Sequence, residues 1–381
     1  MRIAIIGGGI GGLTAGLALR KVGFSPHIFE QAPALLEVGA AIAIWPNAMR
    51  LLQRLDLGKE IIKQAGVIEE VRLLDWRGRL LKRSHLPESN APAVALRRAD
   101  LQTALLHAVP ADSVHLGRHC TGFLQQSDKL IVNFADGEPA ECDVLIGADG
   151  LHSAVRAQAL NDGELTGCRY IVWRGISDSQ PLPLTPATAM ELHGRGKRFG
   201  LGPVGLGRFG WWATANLSEV AIESAKDQKQ ELLKLFDGWF QPVIELIQTT
   251  PERRIVRNSV FDRPPSGRWG EKRFTLLGDA IHPTTPNLGQ GGCLAIEDAV
   301  VLARCLSKNS DPVQALRQYK RLRYRRTANV VRWSRYYGAV GQWHSWPATF
   351  TRSLVISICP ASLIRRSLHA LFDYDAYSIE L

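Results

Sequence analysis

An apolar run, Ile3-Ala4-Ile5-Ile6, breaks into Gly7-Gly8-Gly9-Ile10-Gly11-Gly12 and then Leu13-Thr14-Ala15, and His27-Ile28-Phe29-Glu30 follows further on. Those residue types at that spacing describe a strand, a tight turn and a helix that open onto a dinucleotide. Gly7 permits the turn, Gly9 lets backbone approach a pyrophosphate, and Gly12 brings the helix close to the strand. The helix's first N–H groups then face the phosphate charge. Glu30 ends the second strand, where a carboxylate can accept both hydroxyls of a ribose. That favours FAD or NAD over a 2′-phosphorylated cofactor. A glycine turn without ligand is the plainer alternative, and the strand before, the helix after and the acid in place weigh against it.

Two further aspartate–glycine pairs end apolar strands: Asp149-Gly150 after Cys142-Asp143-Val144-Leu145-Ile146-Gly147-Ala148, and Gly278-Asp279 after Phe274-Thr275-Leu276-Leu277. Beyond the second, His282-Pro283-Thr284-Thr285-Pro286-Asn287-Leu288-Gly289-Gln290-Gly291-Gly292 leads into a helical run from Leu294. An aspartate at a strand's C-terminal end can accept a ribityl hydroxyl. A glycine turn opening a helix offers N–H groups to a flavin's pyrimidine edge, where reduction places negative charge. A third pattern, Gly200-Leu201-Gly202-Pro203-Val204-Gly205, has Pro203 in the turn, strands on both sides and no helix after it, and reads as a hairpin. The chain therefore carries one nucleotide fold and no second nicotinamide domain.

The elements that must position these residues are legible in outline. Hydrophobic residues are 45% and charged residues 22% of the 381, the balance of a globular chain long enough for two or three domains. With the first strand at residue 3 and six cysteines lacking metal-ligand spacing, the expectation is a cytoplasmic protein with no signal peptide, no metal and free thiols. Helices are expected at 46–52, 98–106, 227–248 and from 294 onward, with strands across 68–83 and 114–134. Residues 169–215 alternate, rich in glycine and aromatics, and read as an antiparallel sheet. The fold class is α/β: a doubly wound nucleotide-binding domain (1–70, 97–160 and 270–330), an inserted antiparallel substrate domain (71–96 and 161–269), and a C-terminal helical region (331–381).

The net charge of +10 is not evenly spread. Residues 312–372 hold eleven Lys and Arg and no Asp or Glu, so the remainder sums to −1. Such a segment is either a solvated helix face or a peripheral contact with an anionic membrane. No base-reading module accompanies it, so nucleic acid is not an expected partner. The apolar run from Ser353 to Cys359 is too short to span a bilayer.

Taken together, GGGIGG with Glu30, CDVLIGADG, and LLGDAIHPTTPNLGQGG followed by IEDAVVLA resemble the group A flavoprotein monooxygenases, which have the p-hydroxybenzoate hydroxylase fold. Within that family the chain resembles the urate hydroxylase and zeaxanthin epoxidase branch, and Gly39-Ala40-Ala41-Ile42, Trp45-Pro46-Asn47 and Gly196-Lys197-Arg198 look like the urate hydroxylases. The resemblance implies noncovalent FAD. Gly7, Gly9, Gly12, Glu30 and the adjoining Gln31 would hold its ADP part, with Arg98 in contact. Asp149 and Gly150 would serve both FAD and a passing NAD(P)H, Asp279 the ribityl chain, and Gly289, Gln290, Gly291 and Gly292 the isoalloxazine. It also implies that NAD(P)H reduces the flavin and that O2 forms a C4a-hydroperoxide. That species would hydroxylate an aromatic or otherwise hydrophobic small molecule, or epoxidise an unsaturated isoprenoid or polyene. A flavin-binding partner protein that does not turn over is the alternative from another class.

Catalytic candidates are then Arg198, His282 and Pro283, the last in a turn expected beside the reacting flavin face. Pocket candidates are Trp173, Trp211, Gly210 and Asn287. Trp211 and Trp212 alternate across a strand, so one of them can line the pocket, while core packing is the alternative for both. His282 reads as a base or as a satisfied structural histidine, and Arg198 as a substrate or flavin partner or as a surface strand residue. The resemblance implies that urate enzymes orient their substrate with an arginine, a tyrosine and an aspartate. Here Arg198 keeps the first place, Gly210 replaces the tyrosine and Asn287 the aspartate. Fewer polar partners and the volume opened at Gly210 imply a substrate larger and less polar than urate.

Overall fold

The computed structural model describes residues 1–34, 40–178, 185–220 and 227–381, so Gly39 of the 39–42 motif lies outside the described residues. Every residue of the apolar strands Ile3–Ile6 and Val144–Gly147 is buried, which only a sheet covered on both faces allows. The two pair in parallel, Ile3 opposite Val144 and Ile6 opposite Gly147. They form the middle of a five-stranded sheet completed by Phe274–Leu276 on one side and His27–Phe29 and Val114–His115 on the other. Helices Ile10–Lys21 and Gly291–Lys308 pack on each other within the same core. All three chain turns that carry the glycine and aspartate motifs therefore leave the C-terminal edge of one sheet, side by side.

Alternating strands make the second layer, a seven-stranded sheet that runs Val256–Asp262, Thr166–Ser177, Phe209–Asn216, Lys197–Pro203, Thr188–His193, Glu70–Asp75 and Leu80–His85. Its pleat separates two surfaces. Trp173, Phe199, Leu201 and Trp211 lie on one, buried against Leu232 and Leu246 of helices Gln228–Leu235 and Gln241–Thr249 and against Phe236 and Trp239 of the link between them. Tyr170, Val172, Arg198 and Trp212 lie on the other, toward the loop that carries Asn287. The sheet is not wholly antiparallel as expected: Thr188–His193 pairs in parallel with Glu70–Asp75, because those strands are joined through a long crossover rather than a hairpin. Lys197–Pro203 and Phe209–Asn216 do form an antiparallel hairpin, so the glycines at 200–205 bind no phosphate turn.

Three helices end the chain: Pro312–Gly341, Trp346–Ile358 and Ala361–Phe372. The first sinks Ala315, Leu316 and Tyr319 into the nucleotide core and brings Gly338 and Gly341 up to the substrate-side sheet. Among the described residues no single helix is long and apolar enough to cross a membrane. The last two pass that test jointly but are bent by 90°.

Candidate functional site

The first turn is built by backbone exclusion. A Cβ on Gly12 would stand 1.8 Å from the carbonyl oxygen of Gly7, so only a bare Cα lets this helix begin against its strand. Gly7 itself has φ +108°, the left-handed region that side chains avoid. At Gly9 nothing lies within 4 Å of the equivalent position, and the surface there is open. Glu30 follows the strand His27–Phe29 and accepts the N–H of Gly8 at 2.6 Å and of Ala32 at 2.9 Å. Its carboxylate is thereby aimed, with lone pairs left over for a ribose. Gln31 beside it is exposed.

Asp279 sits in the turn Gly278–Ala280, just ahead of the helix Gly291–Lys308. Its side chain is open to solvent yet ringed by protein, as on the floor of a deep cleft. That enclosure holds the carboxyl above the ordinary range, against the pull of His282 and Arg98. Among the described residues no donor hydrogen-bonds it. Arg98, at the start of the helix Arg98–His107, also faces Arg174, whose guanidinium is pushed below its usual range by burial and then by Arg98. Gly289 is left-handed, and a Cβ on it would stand 2.9 Å from Trp45 Nε1. That indole nitrogen is buried without a partner, as are Gln290 Nε2, Asn47 Oδ1 and Thr284 Oγ1. Buried polar atoms left unpaired cost about 1–3 kcal/mol each, so their grouping at one helix start marks the seat of a polar heterocycle. The set fits FAD: Gly289–Gly292 would face its pyrimidine edge, Asp279 would take a ribityl hydroxyl and Glu30 a ribose.

Beneath this floor lies a closed ionic network. Asp298 Oδ1 accepts Arg323 Nε at 2.7 Å, its Oδ2 meets His282 Nε2 at 2.5 Å, and Glu297 takes Arg323 Nη2 at 2.7 Å. Glu297, Asp298 and Arg323 have no exposed surface. Burial pushes Asp298 upward, but His282 and Arg323 outweigh it and hold the carboxyl below its usual range. Asp298 also accepts the N–H of Gly278 at 3.1 Å, which fixes the turn that presents Asp279. His282 is buried against Trp269 and tied through Nε2 to a carboxylate, the arrangement of a structural histidine, while its Nδ1 has no partner among the described residues. Pro283, next to it, is buried at the start of the 283–290 loop.

Asp149 is also engaged: Ser153 Oγ donates to it at 2.5 Å and Val155 N at 3.2 Å, capping the helix Ala154–Leu160. Gly150 is left-handed with open space beside it. A cavity of about 550 Å³ lies beyond, lined by Leu151, Arg156, Asp162, Phe261 and Arg263, and contains none of the residues grouped around Asp279.

The substrate side differs from expectation at four positions. Trp173 is fully buried and Trp211 nearly so, both on the sheet face covered by helices. Trp211 stacks on Phe199 and donates to Thr250 Oγ1 at 2.8 Å. Trp212 is the tryptophan on the open side, its ring lying over Gly200, with Arg198 5.3 Å from its centre. Gly210 opens no volume, because a Cβ there would meet Val204 Cγ1 at 2.6 Å and Ala41 Cβ at 2.7 Å. Asn287 is spent within the protein: it accepts from Arg198 Nη2 and donates to Tyr170 Oη at 3.1 Å and to the Ser334 carbonyl at 3.0 Å. Arg198, with no exposed surface, also donates Nη1 to Glu191 Oε1 at 3.1 Å and Nε to Gln342 Oε1 at 3.2 Å. Tyr337 Oη closes the ring on Glu191 Oε2 at 3.1 Å. Burial pushes the Tyr170 hydroxyl up to about 12, so it stays neutral. Gly338 and Gly341 of the long helix make room for this network. A Cβ on either would strike Asn287 Nδ2 at 2.3 Å or Arg198 Nε at 2.7 Å.

Comparison with known proteins identifies the family. The FAD binding domain family matches residues 1–334. The aurachin C monooxygenase/isomerase of Stigmatella aurantiaca is 41% identical over 358 residues, 92% of each chain. The FAD-dependent urate hydroxylase of Klebsiella pneumoniae is 33% identical over 87% of this chain and 88% of its own. Among solved structures, Klebsiella pneumoniae HpxO complexed with FAD and uric acid superposes with a TM-score of 0.91 at 30% identity, covering 98% of this chain and 96% of that one.

Proposed function

The chain belongs to the FAD binding domain family of flavin monooxygenases, and on that footing we propose that its oxygen acceptor is an uncharged, lipophilic compound, less polar than urate. It is an FAD-dependent enzyme that uses NAD(P)H and O2 to oxygenate an aromatic or otherwise hydrophobic small molecule. When bound, FAD supplies the chemistry that turns electrons from NAD(P)H and O2 into one transferred oxygen atom.

The observation that carries the reading is the neutralisation of Arg198. An arginine in a substrate chamber ordinarily selects an anionic or strongly polar ligand. Here Glu191 cancels its charge, and Asn287 and Gln342 take two more of its five N–H donors. A small hydrogen-bonding substrate would find Arg198, Glu191 and Asn287 already bonded to one another, with the ring nitrogens of buried His193 left unpaired beside them, and most of its own polar atoms would stay unsatisfied, at about 1–3 kcal/mol each. What remains for recognition is surface: the Trp212 ring, the glycine strand beneath it and the neutral Tyr170. The protein's part is then to position that ring or chain and to exclude water, without a nucleophile or a proton relay. On the other wall, Glu30, Asp279, Trp45 and Gln290 hold the cofactor. Epoxidation of an unsaturated chain stays an alternative outcome, because the same apolar surface serves either acceptor. Steady-state NAD(P)H oxidation with hydrophobic phenols, quinolones, polyenes and urate tests the reading, with product mass raised by one oxygen as proof of coupling. Urate as the preferred substrate would overturn it.

We infer also that part of 312–372 meets a membrane surface, from which such a substrate would be drawn. Pairing reduces the charge available. Arg323 and Arg326 are bound to Glu297, Arg335 to Asp262, and Arg352 is buried, while Arg317, Arg321, Arg325, Arg332, Arg365 and Arg366 stay at the surface. Salt-sensitive sedimentation with anionic vesicles is the expected result, and equal binding to neutral vesicles would contradict it.

A further inference from the structure

Resting on that reading, we propose that one specific surface makes the contact: the outer stripe of the helix Trp346–Ile358, with its elbow into Ala361–Phe372, lies flat on an anionic lipid bilayer beside the substrate chamber. The helix is inside out. Trp346, Phe350, Leu354 and Ile358 recur every fourth residue along one face and are 65%, 56%, 47% and 67% exposed. Val355 and Leu363 extend the same exposed apolar surface around the elbow. On the opposite face the helix buries its only charged residue. Arg352 donates Nη1 to the Gly341 carbonyl and Nη2 to the Gly194 carbonyl, each at 2.7 Å. Those two bonds fix which face looks out. A helix meant for water would show the reverse pattern, and a contiguous apolar stripe of this kind marks a contact surface.

Charge decides between occupants. Arg365 and Arg366 stand exposed on the second helix, and Arg83 on the edge strand Leu80–His85, against which both helices pack. Lys82 of that strand donates to the Cys359 carbonyl at 2.6 Å at the bend itself. Arg83 shares Glu70 at 3.6 Å, but no acidic residue lies between 312 and 372 to oppose Arg365 and Arg366, and Asp373, the next one, is taken by His369 at 2.6 Å. A second copy of this chain would set these arginines against their own like, whereas anionic headgroups complement them. Trp343 and Trp346 lead into the stripe, the residue type that settles at headgroup depth. The 90° bend keeps the two helices from forming one straight span, so they rest in the interface and do not cross it.

The stripe also has an address in the fold. Arg352 holds the carbonyl of Gly341, and Gly341 is the residue whose bare Cα packs against Arg198 Nε. The bilayer would thus lie on the side of the protein that Arg352 ties to the Arg198 network. A substrate dissolved in lipid would enter from there.

Vesicle sedimentation of the FAD-loaded protein is the test, using phosphatidylcholine alone and phosphatidylcholine with phosphatidylglycerol. Truncation is a poor probe, because Phe372 stacks on Trp45 at 4.8 Å next to the cofactor seat. The combined substitution Phe350→Ser, Leu354→Ser and Ile358→Ser changes only exposed side chains. It should weaken binding to the anionic vesicles by at least about tenfold. Arg365→Gln with Arg366→Gln should lower affinity and flatten its salt dependence. Both variants should keep bound FAD and wild-type NAD(P)H oxidation with a detergent-dispersed substrate. Wild-type protein that ignores anionic vesicles, or a triple variant that binds as well as wild type, would overturn the proposal. So would a solution dimer that the triple variant dissolves, which would give the stripe to a second copy. Urate preference together with stripe-dependent vesicle binding would remove the lipophilic-substrate reading and leave this surface standing.

Discussion

The two walls of this cleft treat polar groups in opposite ways. On the cofactor wall, Asp279, Trp45 Nε1, Gln290 Nε2 and Thr284 Oγ1 have no hydrogen-bond partner among the described residues, and the backbone at Gly9 is bare. On the substrate wall, Arg198, Glu191, Asn287, Tyr170 and Tyr337 satisfy one another. The first wall is complete only when something polar arrives, and the second is largely complete already, the buried ring nitrogens of His193 excepted. Ligand polarity is therefore read from what a protein leaves unpaired, not from which polar residues it contains. Both walls hold an arginine and a carboxylate, yet only one pair is spent internally.

The largest way to break the contrast is at Gly12. Gly12→Val puts side-chain atoms where the Gly7 carbonyl already sits and should abolish the FAD-loaded protein, read as soluble yield and visible flavin absorbance. Next in size is the substrate wall's own pair. Glu191→Leu strands the fully buried Arg198 without its counter-charge and should cost about 3–5 kcal/mol in denaturant unfolding. Adding Arg198→Met should restore most of that stability, because the network exists to satisfy itself. A double variant no more stable than the single one would mean that Arg198 has work outside the network.

A third prediction uses the neighbouring His193, which is buried among Glu191, Arg198 and Arg352. Burial lowers its pKa to about 4 from 6.5, over the pull of Glu191 and aided by the two arginines. The unfolded chain thus binds the extra proton, so stability falls as pH drops from 6.5 through 4, by about 3 kcal/mol, and levels off below. His193→Gln should remove that share of the acid limb in a pH series of unfolding curves. The smallest effect belongs to the open wall. Asp279→Ala should weaken FAD binding by roughly tenfold in titration of the apoprotein, with little change in fold, since no protein group depends on that carboxylate.

What the sequence discloses follows the same division. The cofactor wall is legible because each glycine answers to a neighbour in the same turn, and Glu30 and Asp279 end strands whose burial is written in their own apolar runs. Alternation correctly parts Trp211 from Trp212 but does not say which face is covered. Helices Gln228–Leu235 and Gln241–Thr249 decide that, and they lie outside the strand's own pattern. The pairing of Arg198 is illegible for a related reason, since Glu191, Asn287 and Gln342 come from three separate elements. The ionic floor of Asp298 and Arg323 is hidden likewise, its partners 25 residues apart on two helices. One local signal was available. Gly338 and Gly341 sit in the last turns of a long helix, where each costs about 1 kcal/mol against alanine, and a helix tolerates that when something must approach its backbone.

The central claim, that Glu191 occupies Arg198 so that it serves no substrate charge, is tested most directly by one matched pair of compounds: a neutral hydrophobic phenol and the same ring bearing a carboxylate. The measurement is kcat/KM for oxygenated product under NAD(P)H and O2. With Arg198 already neutralised by Glu191, the neutral ring should be preferred by about tenfold or more, and Glu191→Gln should narrow or reverse that ratio by freeing the guanidinium charge. A wild-type enzyme that prefers the carboxylate would show that Arg198 serves the substrate after all, and would contradict the account.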